Sequence, residues 1–202
     1  MTLREHSLKN IYIGEYKVRH YDYTFKWKTA AEIWNEWTTQ VGTIAVNSEW
    51  ATGTSSQEMR ITKSISSLAN AKRIIINSTV VWQNTVYTAG NVWIWKWTWW
   101  WNWTTIFCVF WSQYWGIHAR INYNWTDYAW NSIWNATEST YKTTLTIDLE
   151  QKTIVWSISW FGDSTLSLSD AQVSDIRTYT YLVCYTSLNR STISDVSIDI
   201  IY

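Results

Sequence analysis

The chain has 202 residues, with 16 basic and 16 acidic side chains and a formal net charge of zero. Aromatic residues make up 18% and charged residues 16%, against an average charged share of about 25%. The length suits one sandwich-sized domain. Zero net charge speaks against a nucleic-acid binder steered by phosphate charge, and no run of about 18 apolar residues offers a membrane-spanning helix.

In chain order, residues 1–10 are polar and lack the apolar stretch of a secretory leader, so none is expected. Residues 11–28 are rich in β-formers, among them Tyr12, Tyr16, Val18, Tyr21, Tyr23 and Phe25. They are read as an N-terminal arm or a pair of edge strands, residues 1–28, ahead of one domain, residues 29–202. Residues 29–37 form the single helix candidate. Short strands are expected at residues 42–46, 57–62, 73–76 and 79–82. Residues 91–103 (NVWIWKWTWWWNW) are of low complexity. As a strand they would carry Trp93, Trp95, Trp97 and Trp99 on one face; a long loop is the favoured reading. Residues 104–111 and 117–123 are expected to pair around residues 113–116.

The C-terminal third alternates most cleanly. Leu145, Ile147 and Leu149 oppose Thr144, Thr146 and Asp148; Ile154, Trp156, Ile158 and Trp160 then oppose Val155, Ser157 and Ser159. With Glu150 and Gln151 at the turn, this is a hairpin. Residues 179–186 and 196–201 alternate likewise. Ten or more short strands and almost no helix predict an all-β antiparallel β-sandwich or jelly roll.

Two counts stand out: 19 Trp, and 6 Gly with no Pro. Average usage would give roughly 24 Gly plus Pro. The deficit and the Trp excess are of similar size, and Trp125, Trp130 and Trp134 sit where loop breakers are usual. A Trp-rich gene, an engineered chain, and Trp standing where the natural sequence has another residue each account for this. The reading therefore rests on alternation rather than on any single Trp.

The segments TLTIDLEQKTIVWSISW (residues 144–160), DVSIDIIY (195–202) and EMRITKS (58–64) resemble the concanavalin A-like (laminin-G-like) jelly-roll superfamily. Strands ending in Ile-Asp, a short polar turn and a closing strand carry the resemblance, which covers some 140 residues. It implies a concanavalin A-like sandwich. Members include lectins, adhesion modules, glycan-processing enzymes and structural surface domains, and the fold does not choose among them.

Candidate chemistry is sparse. A retaining glycosidase needs two carboxyls about 5–5.5 Å apart, and no Glu-x-Asp-x-Glu pattern occurs. Asp148 and Glu150 are two apart but at a turn; Asp195 and Asp199 suit an outward polar face. His6, His20 and His118 lack metal-ligand spacing. No enzyme and no resident cofactor is expected. Asn122, Asn124 and Asp127 could supply oxygens to Ca²⁺. Asn122, Tyr123, Asn124, Asp127 and Tyr128 are the best candidate glycan contact, since a ring can stack on a sugar while amides bond its hydroxyls. Candidate N-glycosylation sequons start at Asn77, Asn102, Asn124, Asn135 and Asn189. Cys108 and Cys184 are either a disulfide pair or two small buried hydrophobes.

These features lead to a non-enzymatic structural or surface protein, such as a virion (capsid or spike) or extracellular filament subunit. It would sit in a virion or on an extracellular surface, with copies of itself or other coat or filament subunits as partners. A lectin-like carbohydrate-binding module is the alternative, with glycans as partners.

Overall fold

A computed structural model describes residues 9–13, 15–54, 57–82, 90–96, 106–113, 116–123, 126–134, 139–159, 162–186 and 191–202. Strands β1 (Lys9–Ile13) and β2 (Tyr16–Thr24) open the chain and pair antiparallel. Helix α1 (Ala30–Glu36) follows, then β3 (Thr38–Gly42), β4 (Ala45–Val46), β5 (Ala51–Thr52) and β6 (Met59–Ser64). The long β7 (Arg73–Trp82) precedes β8 (Gly90–Trp95), β9 (Ile106–Gln113), β10 (Gly116–Tyr123) and β11 (Thr126–Trp134). Next come β12 (Ser139–Asp148), β13 (Thr153–Ile158), β14 (Gly162–Ser167), α2 (Asp170–Ile176), β15 (Tyr181–Thr186) and β16 (Ser191–Ile201).

The back sheet runs β1-β2-β16-β7-β12-β13-β14, with β5 on β16 and β4 on β5. A four-stranded sheet, β3-β6-β15-β8, forms the front layer, and a third sheet, β11-β10-β9, is separate from both, lying against β8 of the front layer and β14 of the back sheet. All pairings among the described strands are antiparallel.

Period-two patterning explains the layering. Ile74 and Ile76 of β7, Leu145 and Ile147 of β12, Ile154, Trp156 and Ile158 of β13, and Ile198 and Ile200 of β16 are buried in one core. From the front layer, Met59 and Ile61 of β6, Leu182 and Cys184 of β15, and Ile94 of β8 join it. The other back-sheet face carries His20, Asp22, Asn77, Thr144, Ser197 and Asp199, which the registers place side by side.

Both predicted partners of the C-terminal hairpin pair as expected, from Thr143 opposite Ile158 to Asp148 opposite Thr153. Four readings are corrected. Residues 73–82 form one strand rather than two. Residues 91–95 of the segment favoured as a loop belong to strand β8, and residues 97–103 of it lie outside the described residues. Residues 126–134, where Trp130 and Trp134 stand at positions usual for loop breakers, form strand β11, paired with β10. A second helix, α2, was not foreseen. Residues 9–24 lie at one side of the back sheet, β2 pairing with β16 from Thr24 opposite Asp195 to Val18 opposite Ile201.

Candidate functional site

The sheet β3-β6-β15-β8 turns one face to the back sheet, and its other face is largely covered too, with Arg60, Thr62, Val183, Trp93 and Trp95 all buried. Arg60, Tyr185 and Asn91 lie in one register row, Thr62, Val183 and Trp93 in the next, and Ser64, Tyr181 and Trp95 in a third. Their strand neighbours Ile61, Cys184 and Ile94 face the core, so these rows belong to the opposite face.

Arg60 organises that face. Its guanidinium is 2% exposed, stands 5.7 Å from the Tyr185 ring centroid and 5.8 Å from that of Trp95, and meets a Glu58 carboxylate oxygen at 3.1 Å. Guanidinium over aromatic faces is favourable, more so when desolvated. Burial lowers the Arg60 pKa to about 10, with Glu58 acting against that fall, so the group stays charged at neutral pH. Burial and the neighbouring Glu58 push the Tyr185 phenol upward. Trp93 lies 6.1 Å from Tyr185 and is itself buried. The sequence reading missed this cluster; its signal was a charged residue inside the alternating strand at residues 58–64, together with aromatic alternation at 93–95 and 181–185.

The candidate contact at residues 122–128 lies at the end of the β10–β11 hairpin. Asn122 is opposite Asp127 and Tyr123 is opposite Thr126. The register shifts at Ile121/Asn122, which pairs Ile121 with Ala129 and leaves Tyr128 as the extra residue of a bulge. Four of the five candidates thus gather at one hairpin end. Asn124 lies outside the described residues. Bulges recur where a strand re-aims a side chain next to a site.

The acids considered for catalysis are engaged elsewhere. Asp148 accepts from Arg73 Nε at 2.8 Å and Nη2 at 2.6 Å, and from the backbone N–H groups of Glu150 and Gln151 at 3.1 and 2.7 Å. Burial opposes its ionisation, but these donors outweigh it and hold the carboxyl below the usual range. Asp195 meets Lys26 at 2.9 Å and accepts from Thr24 and Ser194 at 3.0 Å each. Asp199 meets His20 Nδ1 at 2.5 Å. Among the described residues no group of three or more His, Cys, Asp or Glu could hold a metal ion. His118 lies on β10; His6 is outside the described residues.

Asn77 sits mid-strand in β7 between β16 and β12. Its amide donates to Ser197 Oγ at 3.3 Å and its carbonyl accepts from Thr144 Oγ1 at 2.8 Å. Asn102, Asn135 and Asn189, like Asn124, lie outside the described residues. Cys184 is a fully buried free thiol, its pKa raised by that burial; Cys108 stands on β9.

No family model and no curated protein matches the sequence. Solved structures match the fold. The winged bean acidic lectin in complex with methyl-alpha-D-galactose superposes with a TM-score of 0.58 at 9% identity, over 92% of this chain and 99% of the lectin. The VIP36 exoplasmic/lumenal domain in its Ca²⁺/Man-bound form gives 0.52 at 9% identity, over 81% of this chain and 82% of that one. A botulinum neurotoxin serotype C1 binding domain gives 0.49 at 8% identity, and the chain spans 44% of its length. The architecture is an all-β sandwich of the concanavalin A-like type, and the resemblance is one of fold.

Proposed function

We propose that the chain is a lectin-like carbohydrate-binding module working at an extracellular or lumenal surface, without chemistry of its own. The supporting observation is the β10–β11 register, which sets Asn122 opposite Asp127 and Tyr123 opposite Thr126, with Tyr128 next to Asp127 in the chain. Sugar recognition uses such a mixture: rings cover the C–H face while amide and carboxylate oxygens bond hydroxyls. Tyr181 and Tyr185 are half-buried on the Arg60 face of the neighbouring sheet. Lectins among the matching folds favour this reading over a virion or filament subunit.

Ca²⁺ would act here as an orienting ion, with Asn122 and Asp127 as oxygen donors. No described helix is long and apolar enough to cross a membrane.

The test is a glycan array with the full chain, followed by calorimetry on any hit. Binding that falls at least tenfold in Asn122→Ala and Tyr128→Ala, but not in an Asn77→Ala control, supports the site. Loss of that binding in EDTA and its return with Ca²⁺ supports the ion. An array without hits, or hits indifferent to both variants, overturns the site.

A further inference from the structure

His20 lies on the outward face of the back sheet, on β2, away from the β10–β11 hairpin in the chain. Its two ring nitrogens meet two different carboxylates: Nδ1 is 2.5 Å from Asp199 Oδ1 on β16, and Nε2 is 2.7 Å from Asp22 Oδ2 on its own strand. An ionised carboxylate only accepts hydrogen bonds, and a neutral imidazole has only one N–H. Both contacts are therefore satisfied together only by the imidazolium. Burial of the ring works against the charge, but hydrogen bonds and charge from Asp199 and Asp22 outweigh it and raise the affinity for the proton.

Other charged groups stand on the elements packed around the triad. Asp195, further along β16, is matched by Lys26 at 2.9 Å. Arg73 on β7 is bound to Asp148 at 2.6 Å. Lys9 of β1 stands at the register position opposite His20, and Ile75 of β7 at the position opposite Asp199. The triad joins β2 to β16, and through β2 it holds the outermost strand β1.

We propose that His20 is a proton-dependent latch that fastens the β1–β2 hairpin to the C-terminal strand β16. With the ring charged, the latch is closed. Loss of the proton leaves one carboxylate facing a bare nitrogen lone pair, and the contact must open. A loosened hairpin frees backbone donors and acceptors along β16, which makes that edge available to another strand. The sign follows from the raised affinity: the stabilisation is complete below the unfolded-state value of about 6.5 and is lost as pH rises through the higher folded-state value.

The test uses the full chain. The His20 ring proton shift is titrated by NMR in wild type, Asp199→Asn and Asp22→Asn, and amide protection factors of β2 are measured at about pH 6 and pH 8.5. Wild type is expected to titrate above 6.5, with both variants lower. Protection in β2 should be lower at about pH 8.5 than at about pH 6. That pH dependence should vanish in His20→Gln. A midpoint at or below 6.5 in wild type overturns the latch. So does an equal pH-dependent loss in His20→Gln. The two Asn variants keep the test decisive should His20→Gln fail to fold.

Discussion

Trp27 follows β2 with a φ of 61° and with 80% of its surface exposed. Its N–H donates to the Ser48 carbonyl at 3.0 Å, which fixes that conformation. The left-handed region costs an L-residue about 1–2 kcal/mol, and an indole in solvent recovers little of it. Trp27→Gly is expected to raise stability by about 1 kcal/mol, read from urea midpoints. Trp156→Gly, which empties the buried core, should lower it by about 3–5 kcal/mol. Equal losses at the two positions would overturn this expectation. Gly42 shows the opposite strictness: at a φ of 87°, an added Cβ would lie 1.4 Å from the Glu58 carbonyl oxygen.

Asp148 ties residue chemistry to pH. Its carboxyl is held below the usual range, so its contribution is present above the unfolded-state value of about 3.9 and is lost as pH falls through the lower folded-state value. Urea melts of wild type and Asp148→Asn should therefore converge as pH drops towards 2. At neutral pH the variant is expected to be about 2 kcal/mol less stable, since charge-assisted bonds to Arg73 and two backbone donors go. A constant gap across that range would remove the charge from the explanation.

The elements show what patterning carries and what it hides. Helix α1 is set by a capping box: Thr29 Oγ1 accepts from the Glu32 N–H at 3.2 Å, and the Glu32 carboxylate accepts from the Thr29 N–H at 2.7 Å. Ser169 and Gln172 do the same for α2 at 3.3 and 2.7 Å. Thr29→Ala and Ser169→Ala should each cost about 1 kcal/mol in thermal or urea melts, and unchanged midpoints would mean that packing alone sets these helices. Thr29 is followed by Ala30 and Ala31, which made α1 legible. In α2 just Val173 and Ile176 are buried, too few to stand out from a polar run, although its Ser-x-x-Gln box was on view. Strand β7 read as two because Asn77 and Ser78 interrupt its apolar pattern; Ser78 is buried by a 2.6 Å bond to Thr143 Oγ1, a partner supplied by the neighbouring strand. Strand β8 was hidden by the run of Trp around it. The residues at the hairpin end, Asn122 to Tyr128, were legible as chemistry but not as a hairpin, because no glycine marks the turn.

At the scale of the whole molecule, alternation in the last sixty residues was enough to reach the sandwich, since β12, β13, β15 and β16 each present one apolar row to the core. The role of the N-terminus needed coordinates. Tyr23 of β2 is buried in that core and meets Trp37 edge-on at 5.0 Å. Arg19 bonds Ser66 and lies over the Tyr202 ring at 5.9 Å. Tyr21 reaches the Ser66 hydroxyl at 2.5 Å. A free arm that reached out to a neighbouring molecule would surrender these contacts and uncover β16, the strand paired with both β2 and β7. Removing residues 1–24 should therefore leave an unpaired, partly apolar β16 edge that associates with other chains. Light scattering after size exclusion is expected to show soluble oligomers or aggregate in place of the species formed by the full chain, with a lower melting temperature. A truncated chain that keeps the size and melting temperature of the full one would show that the hairpin is an appendage, and that the sandwich is complete without it.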